Sequence, residues 1–188
     1  TIYKYYENDS NSISNNSITR ILNDRKGRLW IGTNSGLNRW MPEYECFERV
    51  YFDSNKVDGG IANIVYDIAE DEDGSIWIGG LGLKKIDPEP GTVHYYYNNF
   101  SDMNSIANDT VLSIYNDSKN RLWFVTPNGL NKYNEQTNDF TRYSFTITYF
   151  DDDFRPRIFR LHEDFSGRLI LNGLNGKLCY FDPESETF

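Results

Sequence analysis

An all-β fold of side-by-side four-stranded sheets follows from three observations. The first is a phrase repeated four times: "RLWIGTNSGLNRW" from Arg28, "SIWIGGLGLKKI" from Ser75, "RLWFVTPNGLNKY" from Arg121 and "RLILNGLNGKLCY" from Arg168. The second is a fixed period. Trp30, Trp77, Trp123 and Ile170 lie 47, 46 and 47 residues apart, as do Asp24, Asp71, Asp117 and Asp164. The glycines Gly36, Gly82, Gly129 and Gly176 follow at 46, 47 and 47. The third is patterning: each period holds short β-branched and aromatic runs separated by turn residues. Such sheets, repeated radially, are the blades of a β-propeller.

Each element has a local reason. The first strand reads "SITRIL", "IVYDIA", "TVLSIY" or "RIFRLH". A tight turn follows in "NDRKG", "EDEDG", "NDSKN" and "EDFSG". There Asp bonds the backbone ahead of it, and Gly takes the left-handed conformation, with Asn120 as its best substitute in the third copy. The second strand is "LWIG" and the third "GLNRW", "GLKKI", "GLNKY" or "GKLCY". "FERVYF", "VHYYY" and "FTRYSF" form the fourth. One such sheet cannot keep both faces dry, so Trp30, Trp77, Trp123 and their counterpart Ile170 are expected to pack between blades.

The expected boundaries are 1–12 for an outer strand and leading loop, 13–58 for blade 1 and 59–104 for blade 2. Blade 3 follows at 105–151, and blade 4 at 152–188 with an incomplete outer strand. Phe188 aligns with Phe47 and Phe140, and "TIY" at the N-terminus reads on as the rest of that strand. Two architectures fit: part of a larger propeller, which is preferred, or a closed four-bladed ring latched by the N-terminal strand. The first leaves apolar faces that favour association, including a homodimer.

Composition narrows the function. A net charge of −9 opposes binding to nucleic acid or to anionic membrane surfaces. No apolar run approaches the roughly 18 residues of a membrane span, so no membrane contact by this stretch is expected. The opening "TIYKYYENDS" has neither the basic head nor the apolar core of a signal peptide. Cys46 and Cys179 are isolated and lack metal or disulfide spacing. His94 and His162 fall at different repeat positions, and no nucleophile–base order stands out. "DEDG" at Asp71 to Gly74 lacks the alternating oxygens of a calcium loop, and the acid run Asp151 to Asp153 reads as a solvated loop. The expectation is a non-enzymatic domain with no cofactor and no metal.

A ligand would meet the loops that lead into first strands and those that join second to third strands. These are rich in asparagine, whose amide both donates and accepts and so suits hydroxyl-rich ligands. The candidates are Asn16, Asn63, Asn108, Asn128 and Asn175, with Tyr66 and Tyr149 as stacking rings. Asparagine is also an ordinary turn residue, and that reading competes at every position. Along first strands one register holds Arg20, Asp67, Ser113 and Arg160. Arg20, Arg155, Arg157 and Arg160 could form a basic pocket for an acidic sugar, or be neutralised by Asp67 and Asp151 to Asp153.

The string I-x-x-I-x-x-D-x-x-G-x-L-W-I-G-T-x-x-G-L-N-R resembles the two-component regulator propeller repeat. Ile18, Ile21, Asp24, Gly27, Leu29, Trp30, Gly32, Thr33, Gly36 and Asn38 carry it in the first unit. The second and third units keep most of it, and the fourth has Ile170 for Trp and Lys177 after Gly176. The resemblance implies the periplasmic, ligand-sensing part of a hybrid histidine kinase that detects oligosaccharide breakdown products. Its partners would be the oligosaccharide, further propeller blades and a kinase module, all outside this chain. A propeller-type polysaccharide lyase or glycosidase, or a protein–protein scaffold, are the alternatives.

Overall fold

The computed structural model describes residues 1–50, 52, 63–87, 91–144, 160–172 and 178–188. Fifteen strands and no helix occur among them. The first sheet runs β1 (Ile18–Asn23), β2 (Leu29–Thr33), β3 (Gly36–Met41), β4 (Cys46–Val50). The second runs β5 (Val65–Glu70), β6 (Ile76–Gly80), β7 (Leu83–Ile86), β8 (Val93–Tyr96). The third runs β9 (Ser113–Asn116), β10 (Leu122–Thr126), β11 (Gly129–Asn134), β12 (Asp139–Tyr143). The fourth has three strands, β13 (Leu161–Glu163), β14 (Leu169–Asn172) and β15 (Leu178–Phe181). Each sheet pairs its neighbours in sequence order, the meander of a propeller blade. The chain forms two compact units, Thr1–Tyr95 and Tyr96–Phe188.

The first turn of every blade closes as its chemistry dictates. Gly27, Gly74, Asn120 and Gly167 all have positive φ, Asn120 at 59°. The aspartate does more than turn the chain. Asp24 accepts from the amides of Lys26 and Arg28, from Arg28 Nε at 2.6 Å and from the Trp30 indole at 2.9 Å. Asp117 repeats the set with Lys119, Arg121 and Trp123. Asp71 receives the Trp77 indole at 2.8 Å, with Lys85 Nζ 3.4 Å away. A fixed spacing of six residues therefore lets each indole bury its ring and still satisfy its N–H. Asp164 has Ile170 six residues on and bonds Ser166 and Arg168 instead.

The tryptophans lie inside, at 4 %, 0 % and 1 % exposure for Trp30, Trp77 and Trp123. In the first unit Trp30, Leu37 and Phe52 form one cluster with Val65, Ile68, Ile76, Ile78 and Ile86, so blade 1 packs its face on blade 2. In the second unit Trp123 and Tyr143 reach Phe181 of the next blade, with centroids 5.5 and 4.8 Å away. Ion pairs rim that contact: Arg121 and Lys119 to Glu184, both at 2.8 Å, and Lys132 to Glu186 at 3.3 Å.

Close approach explains the glycine after Trp-Ile. A Cβ on Gly32 would stand 2.6 Å from Val65 Cγ1 of the next blade. Gly32→Ala is expected to cost about 1–3 kcal/mol by overpacking, read from the urea midpoint. An unchanged midpoint would mean that the blades do not approach this closely.

Two expectations need correction. In the fourth unit the period places Gly176 and Lys177 where Gly36 and Leu37 stand. The register instead sets Leu178 opposite Asn172, as Leu37 lies opposite Gly32 and Leu130 opposite Val125. The fourth copy is one residue longer between its second and third strands, so Leu178, not Lys177, takes the apolar position. The N-terminal strand is the other. Thr1–Tyr6 forms no strand, and the Tyr3 ring packs on Trp40 and Phe47 at 4.8 and 5.5 Å.

Candidate functional site

On the loop side of blades 1 and 3 a buried amide ties the leading loop to the inner strands. Asn38 is fully buried; its Oδ1 accepts from Ser14 N at 2.9 Å and its Nδ2 donates to Ile31 O. Asn131 does the same with Ala107 N and Phe124 O. The adjoining threonines close the β2–β3 and β10–β11 turns, Thr33 donating to Gly36 O and Thr126 to Gly129 O, both at 3.0 Å. Blade 2 has Lys84 at this position. Its buried ammonium donates to Leu81 O and Gly82 O and lies 5.1 Å from the Phe52 ring. Burial lowers its pKa to about 8. An ammonium cannot accept a backbone N–H, so this blade lacks the asparagine's tie.

Beside the Asn38 staple the first unit opens a cleft of about 240 Å³. Ser14 and Asn15 of the leading loop, Ser35 of the β2–β3 turn and Asn63 supply its polar wall. Leu37 and Val50 form an apolar floor, and Tyr5 and Arg49 complete it. Arg49 is held rigidly, donating to Asp9 O, Ser12 O and Ser12 Oγ with its guanidinium 5.5 Å over the Tyr5 ring. Arg142 clamps Asp102 and Ser105 in the corresponding way. The two blades differ in bulk. Val50 lies opposite Leu37 where the larger Tyr143 lies opposite Leu130, and Asn128 bonds Ala107 O where Ser35 stands in blade 1. A wider hollow of about 480 Å³ lies along the β3–β4 hairpin, between Met41, Tyr44 and Arg49. Ser10 and Asn11 of the leading loop line it as well, and Arg49 is common to both cavities.

The sequence candidates scatter. Asn63 lines the cleft. Asn16 Oδ1 accepts from Tyr5 N at 2.8 Å, beside it. Asn108 is engaged by Thr110 N and Asn128 by Ala107 O, as turn residues are. Arg20 Nε stands 2.8 Å from Asp67 Oδ1, the neutralising pair that competed with a basic pocket. Tyr66 is half-buried at a bulge of β5, the place Thr19 has in β1. Arg160 is exposed, its backbone tied to Asn172. Tyr149, Arg155, Arg157 and Asn175, with Asp151 to Asp153, lie outside the described residues. Tyr5, Asn15, Ser35 and Arg49 were missed as individuals, though Asn15 and Ser35 sit in the asparagine-rich loops. His94 pairs with Asp87 at 2.8 Å, and His162 lies edge-on to Tyr115. Among the described residues no group of three His, Cys, Asp or Glu could hold a metal, and no helix is long and apolar enough to cross a membrane.

Comparison with known proteins places this geometry. The model of the family described as "Two component regulator propeller" matches residues 12–35, 59–82 and 105–128. No curated protein matches the chain. Among solved structures, the extracellular domain of BT3049 of B. thetaiotaomicron, assigned to a hybrid two component system, superposes with a TM-score of 0.74 at 24% identity over 93% of this chain. The extracellular domain of BT4673 of the same organism gives 0.69 at 21% identity, also over 93%. An auxiliary nutrient binding protein of Bacteroides ovatus gives 0.63 at 11% identity over 99%. The chain spans 24% and 22% of the first two structures, about a quarter of their length. These likenesses establish the propeller-blade fold, and the matched motifs establish the repeat. Three of the four blades match the two component regulator propeller repeat over part of their length.

Proposed function

We propose that the chain is part of the ligand-sensing propeller of an extracytoplasmic, periplasmic receptor of the hybrid two-component kind. It binds hydroxyl-rich oligosaccharide fragments without turning them over and passes the signal to a kinase outside this chain. The cleft of the first unit carries the reading. Asn15, Asn63, Ser14 and Ser35 present amide and hydroxyl groups beside the Tyr5 ring, the mixture of hydrogen-bonding and stacking surface that a sugar needs. Arg49 adds a fixed cation, which favours fragments bearing a carboxylate. The extracellular domains of BT3049 and BT4673 support the placement by their fold.

Calorimetry of the chain against neutral and uronic-acid-containing oligosaccharides tests this. Asn63→Ala or Tyr5→Ala is expected to weaken binding about tenfold, a loss near 1.4 kcal/mol. The polysaccharide panel should remain uncleaved. Affinity unchanged in both variants would remove this cleft, and appearance of new reducing ends would replace a sensor with an enzyme.

A further inference from the structure

The narrower cleft beside Asn63 and the wider hollow along the β3–β4 hairpin share Arg49 and the same two walls. One wall is β4, and the other is the leading loop, which runs alongside it in the same sense. Two bonds pin the loop there: Asn11 O accepts from Phe47 N at 2.8 Å, and Ser12 O accepts from Arg49 Nε at 3.0 Å. On one side of the pins Ser10 and Asn11 line the wider hollow with Cys46 and Glu48. On the other, Ser14 and Asn15 line the narrower cleft with Val50. The residues of β4 from Cys46 to Val50 thus border both, a length of about 13 Å at a strand's rise of roughly 3.3 Å per residue.

Arg49 crosses between the walls where the two hollows meet. Its Nε and Nη2 make the bonds to Asp9 O, Ser12 O and Ser12 Oγ, and Nη1 takes part in none of these. A guanidinium held in this way loses little further freedom when a carboxylate meets its outer donors. A tyrosine stands on either side of it. Tyr5 lines the narrower cleft and has the guanidinium 5.5 Å over its ring. Tyr44 lines the wider hollow and is 74 % exposed. The matching turn of blade 4 is exposed at Glu184, Ser185 and Glu186 even though blade 3 packs against it, so the exposure of Tyr44 comes from its place on the turn. A ring left in water gains when a ligand covers it.

The hollows differ in charge and in size. Glu48 is the acid of the wider one, and Arg39 Nη2 holds its carboxylate at 2.7 Å. Hydroxyl, amide and ring remain there, a surface suited to a neutral sugar. The narrower cleft, about 240 Å³, is smaller than the roughly 300–1,000 Å³ of small-molecule pockets, and joined to the 480 Å³ of the wider hollow it falls within that range.

Building on the reading of the narrower cleft as a sugar site, we infer that the two hollows are consecutive subsites for one oligosaccharide lying along β4. A carboxylate-bearing ring sits between Tyr5 and Asn63 against Arg49, and the neutral ring next to it in the chain covers Tyr44. The ligand class is an acidic sugar joined to a neutral one, at least a disaccharide.

Titration calorimetry of the chain with glucuronic acid, with xylobiose and with the disaccharide of glucuronic acid and xylose tests this. The mixed disaccharide should bind about tenfold more tightly than glucuronic acid, and more tightly than xylobiose. Tyr44→Ala should erase that gain and leave the affinity for glucuronic acid as it was. Ser10→Phe, which fills the wider hollow from the loop side, should do the same. Both residues are exposed, so the urea midpoints of these variants should match wild type. Asn63→Ala should weaken glucuronic acid and the disaccharide alike. A disaccharide that binds no more tightly than glucuronic acid overturns the inference, as does a gain that survives both Tyr44→Ala and Ser10→Phe. In either case a loss of glucuronic acid binding in Asn63→Ala keeps the narrower cleft as a sugar site, whereas a wild-type chain that binds none of the three sugars removes both readings.

Discussion

Trp77→Ala is expected to lower unfolding free energy by about 3–5 kcal/mol, read from urea midpoints followed by far-ultraviolet circular dichroism. The indole is fully buried and hydrogen-bonded to Asp71 at 2.8 Å. Truncation leaves a cavity where the packed sheet cannot collapse, and it orphans one acceptor of a partly buried carboxylate. Trp77→Phe separates the two losses: it restores most of the volume but not the N–H, so it should recover most of the stability. A Trp77→Ala cost under about 1 kcal/mol would place the ring at the surface and remove the packing account of the repeat.

Asp24→Ala carries a comparable penalty, about 3–5 kcal/mol, because a buried charge pair loses one partner. Its side chain is fully enclosed and accepts from two backbone amides, Arg28 Nε and the Trp30 indole. Burial pushes the Asp24 carboxyl up, but the bonds from Trp30, the Arg28 backbone and the Arg28 side chain outweigh it and hold the group below its ordinary 3.8. A folded value below the unfolded one means the unfolded chain takes up protons first. The carboxylate's contribution is therefore complete above about pH 4 and is lost as the pH falls through the depressed folded value. Asp24→Asn should be destabilised at neutral pH and should lose part of the wild-type decline below about pH 4. Identical acid profiles for wild type and Asp24→Asn would show that the carboxylate stays uncharged or unpaired in the fold.

Most of the blade was legible because its signals are local. The "NDRKG" type of turn contains its own capping Asp and its own positive-φ residue, so Asn120 could be placed at the left-handed position from sequence alone. The need of a four-stranded sheet to cover both its faces then put Trp30, Trp77 and Trp123 inside, where they lie. The same three spacings that defined the period also contained the Asp-to-Trp hydrogen bond, six residues apart every time. It went unread because Asp has a sufficient local role in the turn. The one-residue slip of the fourth copy was hidden for a different reason. A period counted on Gly176 cannot detect an extra residue in a turn; only the pairing of Leu178 with Asn172 does so.

The candidate site was less legible. Asn63 was named, but Tyr5 and Arg49 come from a segment before the first blade and from an outer strand, and nothing in their spacing announces that they meet. Arg49 is fixed by the carbonyls of Asp9 and Ser12, groups that every residue carries and no sequence pattern marks. Arg20 was open to two readings until Asp67 on the neighbouring β5 was found 2.8 Å away.

The sequence by itself determined the blade: the repeat length, the order of strands, the turns and the residues that must be dry. These depend on contacts between residues fewer than about 50 positions apart, which a periodic text states openly. Tertiary structure alone decided how much room is left between blades and loops. Val50 in place of Tyr143 opens a cleft, Lys84 in place of Asn38 removes a tie, and Ile21 stands open where Ile68 is covered. Each of these is a difference in side-chain volume or hydrogen-bond capacity. Its consequence depends on which surface lies opposite, and that partner is fixed only once the sheets are packed.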